Sequence, residues 1–326
     1  MQKWTHMPVM AERVWDLIEP ALEGNNKTYF DCTLGLGGHS KFFLEKSSEN
    51  KQIQNMKIVG IDRDQKALNI ASERLNNYED QFIPFKGNYA EITRASKEKN
   101  RTPDAVLLDL GVSSMQLDDE ERGFSYTKNA PLDMRMDQAT GLTAKELIDD
   151  LEVEELISVL KEFGEERYSK NIAEKMKESA SKGNLNSTSD LADLIRASLP
   201  AKVRHNNDQV MSSIKRVFQA LRIAVNTELD SLQSALDQIK ELVNKNGRVV
   251  VLSYHSLEDR IVKRAFNNWT GNVQKSEVEL SLPFELNINK PEYEFLVRGS
   301  EKASKNEQDK NPRSISVRLR AVKKNA

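Results

Sequence analysis

The chain has 326 residues, 38% apolar and 30% charged, and 48 Lys/Arg against 50 Asp/Glu give it a net charge of −2. That length suits one domain of about 200 residues plus a smaller one. No run of about 18 apolar residues occurs, which excludes a helical membrane span, and a single cysteine, Cys32, excludes both an internal disulfide framework and a cysteine zinc cluster.

Nothing apolar follows Met1–His6 that reads as a leader, so with its lone thiol the protein is expected in a reducing cytoplasm. The apolar stretch 28–30 then runs into Asp31-Cys32-Thr33-Leu34-Gly35-Leu36-Gly37-Gly38-His39, a strand entering a glycine-rich turn. Without Cβ atoms, Gly35, Gly37 and Gly38 let the backbone come close to a ligand. A helix is expected over 40–47. Residues 58–62 form a second strand ending in Asp62, placed to hold ribose hydroxyls. A helix follows over 65–75, with Ala67, Leu68, Ala71 and Leu75 at helical spacing. Residues 81–86 are a third strand and 105–110 a fourth, apolar throughout as a strand covered on both faces should be. Then comes the turn Gly111-Val112-Ser113-Ser114.

From about 119 to 207 no strand is expected. Helices are expected over 143–149, 153–162, 165–180 and 189–198. One long amphipathic helical pattern runs from about 212 to 246, where Asn246-Gly247 stops it. Residues 248–254 are another buried strand, and 314–322 reads as a late edge strand with Ile315, Val317, Leu319 and Ala321 inward. From Arg298 onward nine Lys/Arg face three Asp/Glu, a net of +6 that leaves −8 on the rest. This basic end reads either as a source of phosphate contacts or as a solvated terminus.

The fold class is therefore α/β: a doubly wound, Rossmann-like parallel sheet interrupted by an all-helical insertion. The expected domains are 1–118 with 212–326, and an insertion over 119–211. Ligands in such sheets sit beyond the carboxyl ends of the strands. That puts the 35–39 loop, Asp62, Asn88-Tyr89, residues 109–114 and Tyr254-His255-Ser256 along one rim. The Gly-x-Gly-Gly spacing differs from the dinucleotide fingerprint, and no phosphate-binding P-loop occurs. Glycine loop and strand-end acid together suit S-adenosylmethionine.

The segments DCTLGLGGHS (31–40), DLGVSSMQLD (109–118), ERGFS (121–125), PLDMRMD (131–137), GEERY (164–168), FQALRIAVN (218–226), SYHSLEDRIVK (253–263) and Asn311-Pro312-Arg313 occur in that order. Together they resemble the bacterial cytosine-N4 methyltransferases of 16S ribosomal RNA, the RsmH/MraW family, from His6 to about Lys323. The resemblance implies a class I S-adenosylmethionine-dependent methyltransferase with an inserted helical substrate-recognition domain, acting on one cytidine in the decoding region of the small ribosomal subunit. It implies cofactor contacts at Gly37, Gly38, His39, Asp62, Tyr89, Asp109 and Gln116. Two departures stand out. Met115 replaces a proline usual in the family, and 209–214 reads Gln-Val-Met-Ser-Ser-Ile where the family has His-Pro-Ala ahead of the Phe-Gln-Ala helix.

The amino nitrogen of cytosine is a poor nucleophile, so positioning and a placed proton acceptor matter most. Asp109 can accept, as can Ser113 or Ser114. C5 methylation needs a cysteine nucleophile, and Cys32 lies on the first strand beneath the loop. His255 reads either as a group that hydrogen-bonds base or phosphate, or relays a proton, or as the start of a helix. His39 either touches cofactor or closes the glycine loop. Phe124 and Tyr126 are candidates to stack on a flipped base. Arg135 belongs to the insertion's scattered basic residues. Lys202, Arg204 and His205, followed by Lys215 and Arg216, are the better phosphate candidates, with Arg260 and Lys263 nearer the rim. No metal constellation is visible, and no membrane partner is expected. The expected partner is 16S ribosomal RNA or the small subunit, with a homodimer left open. Two other readings stand beside this one: a methyltransferase of the same fold acting on DNA or another RNA, and a ribosome-binding protein without turnover.

Overall fold

The computed structural model describes residues 8–272 and 291–326, without the side chains of Ser114, Asp118 and Glu120. The segment 1–7, read above for a leader, lies outside the described residues. Two units separate by their internal contacts: the chain up to Gly111 together with Leu229–Ala326, and Val112–Glu228.

The first unit is built on strands that are apolar at consecutive positions. Tyr29 and Phe30, Ile58 and Val59, Leu107 and Leu108, Val250 and Val251 are all buried, and each pair points to opposite faces of the sheet. Such strands need cover on both sides. Helices α1 (Ala11–Leu22), α2 (Gly38–Glu49) and α3 (Gln65–Arg74) cover one face. Helices α4 (Ile92–Lys99), α12 (Glu228–Leu242) and α13 (Ser256–Trp269) cover the other. Gly24–Asn25 (β1) and Ile53–Gln54 (β3) form a small parallel pair. The main sheet holds β2 (Thr28–Asp31), β4 (Lys57–Asp62), β5 (Phe82–Lys86), β6 (Ala105–Asp109), β7 (Arg248–Ser253), β8 (Tyr293–Phe295) and β9 (Arg318–Lys324), in the order β5-β4-β2-β6-β7-β9-β8. The first five are parallel, and β9 and β8 are antiparallel additions. The chain winds outward from β2 to β5, then returns to lay β6 on the other side of β2. The carboxyl ends of β2 and β6 therefore flank the point where the winding reverses, the usual ligand position in such sheets. A short helix α14 (Lys305–Lys310) precedes β9.

The second unit is helical: α5 (Ser114–Asp118), α6 (Ala144–Asp150), α7 (Val153–Glu162), α8 (Ser169–Ser181), α9 (Thr188–Ser198), α10 (Ala201–Arg204) and α11 (Asn207–Asn226). Thr143 with Glu146 and Ser187 with Asp190 form reciprocal capping boxes at the starts of α6 and α9. Its core joins Ile148, Leu156, Ile172, Leu191, Val217 and Leu221. A Cβ on Gly164 would stand 2.7 Å from the Arg216 and Leu160 carbonyl oxygens, so only glycine lets this turn approach α11.

Several elements differ from the sequence expectation. The pattern over 212–246 is two helices, because Thr227 takes left-handed backbone (φ 49°). Asn226 explains the stop: its side chain donates to the Met134 carbonyl and accepts from the Met136 N–H, both at 2.8 Å. The helical unit consequently runs over 112–228 rather than 119–211, since α11 belongs to it whole. Residues 165–168 stay outside α8, where the buried Glu166 carboxylate gathers the Ser213 hydroxyl and the Arg216 guanidinium. At the C-terminal end, Pro312–Ser316 is a 3-10 turn and Ile315 is 59% exposed, not inward. Nor is β9 an edge, since β8 pairs outside it. The basic end is no loose terminus. Arg320 makes a bidentate pair with Asp259 and Lys323 meets Glu294, while Lys324 donates to the Lys240 and Glu241 carbonyls. Among the described residues no helix is long and apolar enough to cross a membrane.

The Arg320–Asp259 pair ties β9 to α13 with both side chains mostly buried. Removing the acid strands a buried cation, so Asp259→Ala is expected to cost about 3 kcal/mol, with Asp259→Ala/Arg320→Met recovering much of it. Urea unfolding of the three proteins measures this, and an additive double variant would contradict it.

Candidate active site

The turn after β2 is shaped by glycine backbone. Gly35 and Gly37 have φ of 51° and 72°, in the left-handed region that side chains disfavour. Gly37 precedes the first turn of α2, and its N–H closes the turn onto the Leu34 carbonyl at 2.8 Å. A Cβ on Gly37 would come within 3.3 Å of Leu75. Arg74, at the end of α3, donates to the Leu36 carbonyl and holds the loop from outside.

Asp62 ends β4 beside this loop. Its Oδ2 accepts the Gly35 N–H and its Oδ1 accepts the Asp64 N–H, each at 2.8 Å. Burial pushes its carboxyl up to about 6, against the pull of these two N–H groups. A carboxylate has about four lone-pair positions, so two remain for the paired hydroxyls of a ribose.

Asp109 ends β6 on the other side of β2. Its backbone N–H donates to Thr33 Oγ1 at 2.6 Å, and its Oδ1 accepts the Tyr254 hydroxyl at 2.6 Å. Oδ2 lies 3.7 Å from His39 Nδ1, and the side chain keeps about a quarter of its surface exposed (24%). Burial pushes this carboxyl up to about 7; the Tyr254 hydrogen bond opposes that and the nearby Glu258 adds to it. Two partly exposed acids flanking a glycine turn match a cationic nucleoside such as a sulfonium, which the carboxylates can hold at both its ribose and its charge.

The remaining expected residues fall into distinct settings. His39 is buried, with Nε2 3.0 Å from the Val9 carbonyl. Gly38 packs at Pro8, where an added Cβ would sit 3.5 Å away. Tyr89 is half-buried in the short helical turn after β5, against the core. Cys32 is buried to 1% exposure and its thiol is pushed well up by burial, the opposite of a reactive thiolate. His255 serves as the helix-start group. It precedes α13, with Nδ1 facing the Glu258 N–H and Nε2 buried 3.1 Å from Glu258 Oε1 outside hydrogen-bond alignment. Arg260 and Lys263 are exposed on α13.

In the helical unit, Ser113 and Gln116 cap α5 reciprocally. Gln116 Oε1 accepts the Ser113 N–H at 2.9 Å, so the turn closes with Met115 in place. Phe124 is buried in the helical core and is not free to stack on a base as expected, while Tyr126 is partly buried and stands edge-on to Phe218 at 5.8 Å. Arg135 is held by Asp133 through two hydrogen bonds. Lys202, Arg204, His205 and Lys215 are exposed, whereas Arg216 is engaged by Glu166. The changed stretch at 209–214 contributes Val210, Ser213 and Ile214 to the interior.

Sequence reasoning placed Tyr254 on the rim but gave it no role, and it did not single out Thr33. Their signal was weak: one is a lone aromatic just past a strand, the other a hydroxyl inside the loop.

The MraW methylase family matches residues 3–325. The chain is 42% identical over 325 residues to Ribosomal RNA small subunit methyltransferase H of Mycolicibacterium smegmatis, covering 98% of this chain and 84% of that protein. It is 40% identical to the protein of the same name from Nocardia farcinica, covering 98% and 96%. Among solved structures, a putative methyltransferase from Streptococcus mutans in complex with SAH is a distant likeness, with TM-score 0.43, 11% identity and coverage of 98% and 99%.

The raised Asp109 carboxyl makes stability depend on pH. Between about pH 4 and about 7 the folded chain binds a proton that the unfolded chain releases, so this group's contribution declines as pH rises through that window. Asp109→Asn keeps an oxygen for Tyr254 and removes the decline. It is expected to exceed the parent by about 1–3 kcal/mol at about pH 8 and to match it near pH 4. Urea unfolding at the two pH values checks this; a difference independent of pH would contradict it.

Proposed function

The chain belongs to the MraW methylase family, and on that premise we propose that it moves the methyl group of S-adenosylmethionine to the N4 amino nitrogen of a cytidine in the decoding region of 16S ribosomal RNA. The observation that carries the reading is Asp109: a partly exposed carboxylate at the winding reversal, with one oxygen pinned by Tyr254 and the other left to accept. Bound S-adenosylmethionine supplies an electrophilic methyl group. The chain supplies the rest. Gly35, Gly37 and Gly38 present backbone to the cofactor, and Asp62 takes the ribose hydroxyls. Asp109 orients the amino group and accepts its proton, removing the positive charge that would otherwise build on N4. The buried, high-pKa Cys32 supports N4 over C5 chemistry, which needs a thiolate.

The unit 112–228 is the substrate-recognition part in this reading. Exposed Lys202, Arg204 and Lys215, with Arg260 on the sheet unit, supply phosphate contacts. Ser113 and Gln116 shape the turn beyond β6, and Arg135, held by Asp133, shapes the loop that α11 packs on.

Small subunits lacking the modification, incubated with methyl-labelled cofactor, are expected to yield N4-methylcytidine on nucleoside mass spectrometry. Asp109→Ala is expected to slow this about 10²–10⁴-fold. Methyl groups at C5, on adenine or on DNA would overturn the reading, and binding of subunits without transfer would favour the non-enzymatic alternative. Reversing charge at Lys202, Arg204 and Lys215 together is expected to weaken subunit binding and lower the salt slope by about three. An unchanged slope would place the phosphate contacts elsewhere.

A further inference from the structure

We propose that the turn 311–316, with Lys310 and Arg318 on either side, is a contact site for the RNA strand that flanks the target nucleotide: Arg313 and the neighbouring cations hold phosphates, and Ile315 packs on a base. The inference rests on the methyl-transfer reading above and gives a task to the Asn311-Pro312-Arg313 motif, which that reading leaves unused.

Strand register places the turn. Asp109 pairs with Leu252 of β7, and Leu252 pairs with Leu319 of β9. Because β9 runs antiparallel to β7, the residues ahead of Arg318 emerge where β6 and β7 end. The turn therefore shares the rim with Asp109 and Tyr254, two strand spacings or about 10 Å along it. Asp62 lies the other way, on β4 beyond β2. A cofactor held between Asp62 and the glycine loop leaves the β7–β9 side of the rim to the substrate. A nucleotide that reaches Asp109 brings the phosphates of its neighbours onto that side.

The charges there are left for a ligand. Of the nine cations from Arg298 onward, Arg320, Lys323 and Lys324 are taken up inside the unit. Arg298, Lys302, Lys305, Lys310 and Arg313 make no side-chain ion pair or hydrogen bond among the described residues, and all but the half-buried Arg313 are exposed. Arg318 is 47% exposed and lies 3.7 Å from Asp259, which Arg320 already grips at 2.8 and 3.1 Å. The acids of the same stretch are mostly occupied: Arg13 holds Glu301 through two hydrogen bonds of 2.7 and 2.8 Å, and Glu307 accepts the Met10 N–H at 2.6 Å. Asp309 alone remains exposed among them. Such an excess of cations beside a site for a polyanion raises affinity by counterion release.

The turn is built to present side chains outward. Asn311 Oδ1 accepts the Arg313 N–H, and the Asn311 carbonyl accepts both the N–H and the hydroxyl of Ser314, at 2.9 and 2.8 Å. Ser314 is thereby locked inside at 0% exposure, while Arg313 and the 59% exposed Ile315 flank it at the surface. A single exposed isoleucine needs no explanation. One fixed beside a cation without an acid, on a braced turn at the substrate side of the rim, offers a base an apolar surface and its phosphate a charge in one place.

Two measurements test this. Lys310→Gln/Arg313→Gln/Arg318→Gln removes three charges, and it is expected to lower the salt slope of small-subunit binding by about two and to raise KM for subunits about tenfold, with kcat at saturating subunits and the Kd for S-adenosylhomocysteine within about twofold. An unchanged slope and KM overturn the proposal. Hydroxyl-radical footprinting of the unsubstituted protein reads Ile315 directly, so it decides even where the triple variant does not fold. Its oxidation is expected to fall when subunits bind, and full reactivity in the complex overturns the contact. A covered Ile315 together with an unchanged slope means that a ribosomal protein sits there, which overturns the assignment to RNA. If N4-methylcytidine forms while Ile315 stays reactive, the methylation reading stands and this contact falls. If none forms but slope and footprint behave as expected, the methylation reading falls and the RNA contact stands.

Discussion

The reversal of winding between β2 and β6 is the constraint on which the rest of the sheet unit depends. On each side of that point the connecting helices leave in opposite directions, so no crossover covers the strand ends. The loop after β2 therefore lies open between Asp62 on β4 and Asp109 on β6, one strand away on either side. A glycine turn there can offer backbone to a ligand, and the flanking carboxylates can offer charge. Place the same residues at the amino ends of the strands and the helix starts would not face them.

Holding two carboxylates at a partly buried rim is costly, and the structure shows how the cost is met. Asp62 receives two backbone N–H groups and Asp109 one hydroxyl, and both carboxyls still sit above their ordinary range because burial outweighs the donors. The Arg63 charge pulls the Asp62 carboxyl down without offsetting burial, whereas Asp259 with Arg320 and Asp104 with Lys27 form close ion pairs elsewhere in the same unit. A carboxylate held by backbone N–H groups or a hydroxyl keeps lone pairs for a ligand or a proton. Acids of one residue type thus differ here by their partners.

The helical unit shows the complementary lesson. GEERY and FQALRIAVN carry as much of the family resemblance as the glycine loop does, yet they act as scaffold. Gly164 allows the backbone of α11 to approach, Glu166 binds Arg216 and Ser213, and Asn226 stops α11 by reaching into the 134–136 loop. Arg122 of ERGFS likewise donates to the carbonyls of Arg135 and Met136. Whether a motif serves chemistry or packing depends on what its side chains touch.

The sequence alone determined the central strands, because unbroken apolar runs such as 105–108 and 249–252 admit little else, and it determined the glycine loop and its partner acid, because their spacing is local. It also determined that thiol chemistry has no candidate but Cys32. What only the tertiary structure decided were matters of orientation over long separations. The break at Thr227 needs a loop ninety residues upstream to capture Asn226. The inward reading of Ile315 failed because 312–316 turns before the strand begins. Phe124 went to the core because the helices closed over it. Asp109 acquired Tyr254 and His39 only when strands distant in sequence became neighbours. Residue type and spacing fix what a side chain can do; packing fixes which groups it meets, and no local pattern encodes that meeting.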